Sequence, residues 1–404
     1  MSGDTVWILA STALVLLMVP GLALFYGGMV RSKNVLNMLN MNMYCLGAVP
    51  LVWAIVGYSM SVGGGAEDAN SWLGFFGFDN FGMNGVGSAP GDGEMAGWAF
   101  GLTFAVITPA LISGAVADRM KFSAWMIFVP LWSLLVYSPV VFWVYSGWII
   151  DLPAHDYAGG TAIHINAGVA ALAMVIVLGK RRGWPKEAWP PHNLPLVVIG
   201  TGILWFGWFG FNSGLGGPDA GQALTNTFLA GAAGLMGWLI TEVATGGKAT
   251  ALGICSGVVA GLVAITPAAG FVGSMSSIIF GLAAGVICFF AIRLKEKFGY
   301  DDSLDVVGIH MVGGIVGGLL IGLLASSDAF TGEFEEAGGT LLWNQFISIV
   351  VVIVFSFVVT FIIAKVLDAT IGLRVSEEAE QVGLDTSEHA ETAYLQSGTF
   401  ERSR

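Results

Sequence analysis

The stretch DYAGGTAIHINAG, residues 156–168, places a histidine, His164, inside a segment that is otherwise apolar enough for lipid. A second histidine, His310, opens a similar run. HINAGVAA at 164–171 and HMVGGIVG at 310–317 share the histidine and the spacing of small residues. A polar side chain within a membrane is costly unless it has partners. These two matched histidines therefore organise the interpretation of the chain.

Composition indicates a membrane protein. The 404 residues are 55% hydrophobic and only 11% charged, unlike a soluble domain. Apolar segments recur along the chain, each long enough to cross a hydrocarbon core of about 30 Å as a helix. Much of the net charge of -12 lies in loops and in the tail after Gly372, so nucleic acid is a poor candidate partner.

Hydropathy predicts eleven transmembrane helices. Their expected bounds are 7–30, 36–62, 95–117, 122–145, 161–179, 194–213, 222–245, 250–268, 273–292, 304–326 and 341–366. No Lys or Arg precedes the first span or follows an even-numbered span, whereas Arg31 follows the first span and Arg119 the third. Because these residues collect on the cytoplasmic side, the N-terminus is expected outside and the C-terminus inside.

The two histidine runs lie on spans of opposite direction, the fifth and the tenth. This predicts a five-plus-five inverted repeat with the eleventh helix added, an architecture in which functional residues meet near the midplane. The expected fold class is an all-α polytopic membrane protein. Residues 1–371 would form one transmembrane domain and residues 372–404 a cytoplasmic tail.

His164 and His310 are the only histidines within the predicted spans. Burial disfavours imidazolium, so both rings are expected to be neutral. One ring can donate an N–H to the bare nitrogen of the other, which leaves a donor and an acceptor for a pathway. A narrow conduction path is the functional interpretation. A satisfied core pair is an alternative, and a metal site is a weaker one because no third ligand lies at suitable spacing.

Two acidic residues precede the histidines: Asp156 lies eight residues before His164, and Asp305 five residues before His310. Both lie near helix starts, where a carboxylate can cap free N–H groups. We therefore expect structural support from both, in preference to direct cation binding. Asp156 lies on the outer side and would also favour the approach of a cation.

Aromatic residues cluster in three segments near the outer ends of their spans: 97–104, 142–148 and 204–212. An aromatic belt at the membrane interface is the ordinary explanation. A cage that binds a small cation through its ring faces is the functional alternative.

Several segments resemble signatures of the ammonium transporter family (Amt/Mep/Rh), and more closely its microbial Amt branch. Besides 156–168, they are ALFYGGMVRSKNVLNML at 23–39, PHNLPLVVIGTGILWFGWFGFNSG at 191–214, CSGVVAGLVAITPAAGFV at 255–272 and DVVGIHMVGGIVG at 305–317. The resemblance implies a homotrimer with one pore in each eleven-helix protomer. It implies transport of ammonium or ammonia, and of methylammonium, across the plasma membrane, with neither cofactor nor enzymatic activity.

The resemblance also implies roles for individual residues. The twin-histidine pair would be His164 and His310, the stacked rings above it Phe104 and Phe211, the further vestibule aromatic Phe100, and the structural carboxylate Asp156. Two positions depart from the family pattern. Tyr145 stands where Trp is usual, and Leu215 where Ser is frequent. Either Ser213 compensates for the missing hydroxyl, or affinity and selectivity differ.

The tail segment GLRVSEEAEQVGLDTSEHAETAY, 372–394, resembles the cytoplasmic segment by which Amt proteins couple their protomers and respond to PII-type signal proteins. Composition alone indicates a solvated acidic tail, whereas the resemblance implies a regulatory role and a possible PII partner. Two other functions stay open: an Amt-like sensor that signals through its tail, and a Rh-like gas channel.

Overall fold

The computed structural model describes residues 2–63, 71–87, 93–187, 189–325 and 338–394. Eleven of the helices in this part of the chain are long and apolar enough to span a membrane. They are α1 (Gly3–Met29), α2 (Val35–Val62), α3 (Glu94–Val116), α4 (Phe122–Asp151), α5 (Gly160–Leu178), α6 (Leu194–Ser213), α7 (Ala220–Ala244), α8 (Ala251–Ala268), α9 (Ser274–Phe298), α10 (Val307–Leu324) and α11 (Gly339–Thr370). Each predicted span is confirmed, and the fold class with it.

Helices α5 and α10 begin with the same irregularity. The first turns of α5, Gly160–Ile165, and of α10, Val307–Met311, are π-helical, and ordinary α-helix follows each. His164 and His310 both lie in these turns. A π turn holds an extra residue in the helix and often occurs at functional sites. Both halves of the repeat therefore present their histidine from the same kind of distorted turn.

Two glycines allow α5 and α10 to approach each other closely. Gly168 and Gly314 each lie four residues after a histidine. A Cβ on Gly168 would overlap the backbone of Met311, and a Cβ on Gly314 would lie 2.8 Å from the Ile165 side chain. Because residue 168 lies near 311 while 165 lies near 314, the two helices run in opposite directions. Small residues at such crossings let membrane helices pack backbone to backbone.

The tail folds back onto one face of the helix bundle, here called the tail face. Two short helices, α12 (Glu377–Val382) and α13 (Leu384–His389), form most of it. Its buried acids bind backbone amides: Glu380 accepts the N–H of Arg182 at 2.8 Å, and Asp385 accepts that of Asn37 at 2.8 Å. The solvated tail expected from composition alone is therefore wrong for Glu380 and Asp385. Residues 395–404 of the predicted tail lie outside the described residues.

Two further histidines, His155 and His192, lie in the connections between the spans. His192 lies between the carbonyl oxygen of Val30 and the hydroxyl of Tyr394, each 2.8 Å from a ring nitrogen. His155 is half-buried at the opposite face, and burial lowers its pKa. Both side chains belong to the packed structure, because the connections that carry them are folded against helix ends.

Candidate functional site

The two histidines meet in the middle of the bundle. Their Nδ1 atoms lie 3.2 Å apart, and the ring planes differ by 18° with centroids 5.3 Å apart. Both rings are buried, and Nε2 of His164 has no hydrogen-bond partner. Between neutral rings, an Nδ1–Nδ1 bond requires one donor and one acceptor. One Nε2 must then carry a proton while the other is bare, so the pair offers both a donor and an acceptor.

A small cavity adjoins this pair and is called here the central cavity. Its volume is about 10 Å³, close to the space that one water-sized molecule needs. Apart from the histidines its lining is apolar or aromatic: Met18, Leu22, Phe25, Ile107, Leu111, Leu204, Trp208, Phe211 and Val259. The cavity therefore provides hydrogen bonds from imidazole and no fixed charge.

A stacked pair of phenyl rings separates the central cavity from a larger one. Phe104 and Phe211 have centroids 4.3 Å apart and planes inclined by 29°. Phe211 lines both cavities, whereas Phe104 lines only the larger one. Phe100 meets Phe104 edge to face at 4.8 Å. These rings form an apolar constriction between the two spaces.

The larger cavity, called here the vestibule, has a volume of about 350 Å³ and lies at the face opposite the tail. Phe100, Tyr145 and Leu215, which the family resemblance assigns to the outer recruitment region, line it. Ser213 does not line it. The Ser213 side chain is buried, and its hydroxyl donates to the carbonyl of Phe209 at 2.5 Å. In the structure, the Ser213 hydroxyl therefore does not replace the hydroxyl that Leu215 lacks in the vestibule.

The Asp156 carboxylate caps α5, as predicted. One oxygen accepts the N–H groups of Gly159 and Gly160 at 3.0 and 2.6 Å. The other accepts those of Thr161 and Ala162 at 2.8 and 2.9 Å. Burial raises the pKa of Asp156, and the four hydrogen bonds from backbone N–H groups oppose that effect. The carboxylate thereby fixes the first turn of α5, which carries His164.

The prediction that Asp305 caps α10 is wrong. Its carboxylate binds the ammonium group of Lys295, 2.5 Å away. Asp302 provides the cap instead, accepting the N–H of Val307 at 2.7 Å. Asp305 has a left-handed backbone conformation, with φ of 64°, and its side chain lies beside α9. The sequence contains a signal for the Asp302 cap: Asp302 lies eight residues before His310, and Asp156 lies eight residues before His164.

Sequence reasoning did not single out two further residues of this region. The Trp208 ring stacks on His164 with centroids 5.3 Å apart, and its indole N–H donates to Thr266 at 2.9 Å. Asn212, the residue that follows Phe211 in the sequence, also lines the vestibule. An amide side chain within a hydrophobic span is itself a signal of function or of a buried partner.

Comparison with known proteins agrees with this arrangement. A family model described as Ammonium Transporter Family matches residues 6–394. An ammonium transporter of Mycobacterium tuberculosis is 49% identical, over 97% of this chain and 90% of the relative. The crystal structure of Candida albicans Mep2 has a TM-score of 0.85 at 35% identity, covering 93% of this chain and 86% of that one.

A solved structure titled Sensor Amt Protein has a TM-score of 0.89 at 26% identity, and the match covers 96% of this chain and 98% of that one. The curated relatives are named as transporters and not as enzymes. The family match runs through all eleven spans and both histidine turns. The chain belongs to the ammonium transporter family.

Proposed function

We propose that the protein transports ammonium or ammonia through each protomer, with the vestibule as the site of recruitment and the central cavity as the narrow part of the path. The stacked rings of Phe104 and Phe211 between two cavities, with the His164–His310 pair directly behind them, carry this proposal. The two cavities share the lining residue Phe211, so the ring pair lies between the vestibule and the central cavity.

Charge decides the form in which nitrogen would pass. Moving an ion through an apolar path costs at least a few kcal/mol. Ring faces of Phe100, Phe104 and Tyr145 favour a small cation in the vestibule. The central cavity offers imidazole nitrogens in place of counter-charges, which suits neutral ammonia. Ammonium therefore loses its proton before or at the ring pair, and neutral ammonia passes the histidines. The proton either stays in the water of the vestibule, which gives a neutral flux, or travels separately along the His164–His310 pair, which gives a net current.

The distribution of charge supports an orientation. The tail face carries Arg119, Arg181 and Arg374, whereas no Lys or Arg follows an even-numbered span. By the positive-inside tendency, the tail face is cytoplasmic and the vestibule opens outside, in the plasma membrane. Residues 1–371 act as the transport domain. Residues 372–404 act as a regulatory tail open to a PII-type partner, and three protomers assemble as a homotrimer.

Purified protein in proteoliposomes provides the test. Labelled methylammonium uptake should exceed that of empty vesicles, and an ammonium gradient should give a current on a solid-supported membrane if the proton travels too. The substitutions His164→Ala and His310→Ala should each lower the current at least tenfold, on the scale expected when a positioned proton-transfer group is lost. Equal uptake with and without protein would refute transport. Unchanged currents in both variants would show that the histidines take no part in proton transfer.

A sensor that binds ammonium with little flux is the second candidate. The structural likeness to the protein titled Sensor Amt Protein favours it. The names of the relatives at 40% to 49% identity favour transport instead. A protein that binds ammonium and changes the protease sensitivity of its tail, yet carries no flux, would be a sensor.

A further inference from the structure

We propose that the side-chain oxygen of Asn212 is the hydrogen-bond acceptor that binds an N–H of ammonium at the floor of the vestibule. The inference rests on the proposed function, transport through this vestibule. An ammonium ion has four N–H donors and no lone pair, so a vestibule that recruits it needs acceptors. Leu215 provides none, and the hydroxyl of Ser213 is bonded to the carbonyl of Phe209.

Asn212 has the position and the free atom that this role requires. It lines the vestibule next to Phe211, the ring that also lines the central cavity. The residue is 2% exposed, and its Oδ1 atom has no hydrogen-bond partner. A buried acceptor left without a donor is unfavourable, because it has lost its hydrogen bonds to water and gained none in return. A ligand with N–H groups would satisfy it.

The orientation of the Asn212 amide follows from its neighbours. The hydroxyl of Thr227 donates its single proton to the carbonyl of Ala223 at 2.6 Å. Towards Asn212 the same hydroxyl can therefore only accept, and it lies 2.9 Å from Nδ2. The amide nitrogen is thus held by α7, and the free atom on the other arm of the amide is the oxygen. A flipped amide would place two acceptors against each other.

Other polar groups of the vestibule are less suited to accept from ammonium. Trp53 also lines the cavity with an unpartnered Nε1, but an indole N–H only donates. Tyr145 is 39% exposed, so water competes for its hydroxyl. Asn212 is the residue that follows Phe211 of the ring pair, and it lines the same cavity as both rings, where a cation about to enter the constriction must give up its water. Asn212 is therefore assigned as a specificity residue that binds substrate through its oxygen.

The test compares Asn212→Leu with Thr227→Val in ammonium-driven currents at a series of concentrations. Asn212→Leu removes the acceptor, so the half-saturating ammonium concentration should rise about tenfold with little change in maximal current. Thr227→Val retains the oxygen and removes only the group that holds the amide, so its rise should be smaller. Adding Leu215→Ser to Asn212→Leu supplies a hydroxyl to the same cavity and should restore part of the affinity.

Asn212→Ala removes the same oxygen with less steric change and serves as the comparison if the leucine variant does not assemble. An unchanged half-saturating concentration in the assembled Asn212 variants would overturn the assignment. An equal rise in Thr227→Val would also overturn it, because the amide would then serve only to hold α6 against α7. A parent protein without any ammonium-driven current or uptake would instead refute the transport function itself.

Discussion

Asp156 and Asp302 occupy equivalent positions in the two halves of the protein. Each lies eight residues before a central histidine. Each carboxylate accepts backbone N–H at the start of the helix that carries this histidine. Asp156 binds four amides, whereas one oxygen of Asp302 accepts from Val307 and its Oδ1 has no hydrogen-bond partner. The two caps position the π turns of α5 and α10, and so the histidine pair.

Replacing Asp156 should affect both stability and flux. Asp156→Ala leaves four N–H groups at the start of α5 without their acceptor, and should lower the free energy of unfolding by about 2 kcal/mol. Because His164 lies on the same turn, the ammonium current should fall at least about tenfold. Thermal unfolding in detergent and current measurements would check this. Asp151→Ala, at an exposed carboxylate of the same face, is the control. Parent-like values for Asp156→Ala would contradict the capping role.

Asp302 should make stability depend on pH. Burial raises its pKa from 3.8 to about 6, while the Lys295 ammonium opposes the shift. The folded state then binds more protons than the unfolded state between about pH 4 and pH 6, so stability falls as the pH rises through that window and is level above it. Asp302→Asn abolishes this pH-dependent contribution to the free energy of unfolding, which amounts to at most about 3 kcal/mol.

The measurement is the difference in unfolding temperature between Asp302→Asn and the parent protein across pH 4 to 8. It should increase from about pH 4 to about pH 6 and then stay constant. Glu296→Gln, at an exposed carboxylate of the tail face, should show no such dependence. A difference that does not vary with pH would show that Asp302 titrates normally in the folded protein.

Opening the ring pair should weaken the exclusion of other ions. Phe211→Ala removes the ring that separates the vestibule from the central cavity. An ion can pass only when the stack opens, and the stack is worth about 1 kcal/mol, so its loss should raise potassium flux through proteoliposomes by up to about fivefold. The control is Phe209→Ala, on the same helix. The Phe209 ring packs on Phe228 and lines neither cavity, so this substitution should leave the potassium flux unchanged. Equal potassium flux in both variants would locate the barrier elsewhere.

Removing a single side chain should loosen the packing of the tail on the tail face. Asp385→Ala removes the acceptor for the N–H of Asn37 at the start of α2, a loss of about 1 kcal/mol. Limited proteolysis should then cleave residues 373–394 faster than in the parent protein. Glu378→Ala, at an exposed carboxylate of α12, should leave the rate unchanged. Identical cleavage of all three proteins would mean that other contacts hold the tail.

The sequence alone was sufficient for the spans and the histidine pair. Hydropathy and the distribution of Lys and Arg are local properties, and the lipid environment acts on each segment directly. The eight-residue spacing before His310 was also present in the sequence. Asp305 obscured it, because a carboxylate closer to the histidine is equally plausible as a cap when its neighbours are unknown.

Only the tertiary structure decided which partner each polar group takes. Lys295 of α9 binds Asp305 and leaves the cap of α10 to Asp302. Thr227 of α7 turns the amide of Asn212. These choices depend on contacts between segments far apart in the chain, since a buried polar group is stable only where packing brings a partner within hydrogen-bond distance. The sequence by itself determined where the chain crosses the membrane and which histidines pair; packing decided how that pair is supported and what faces the vestibule.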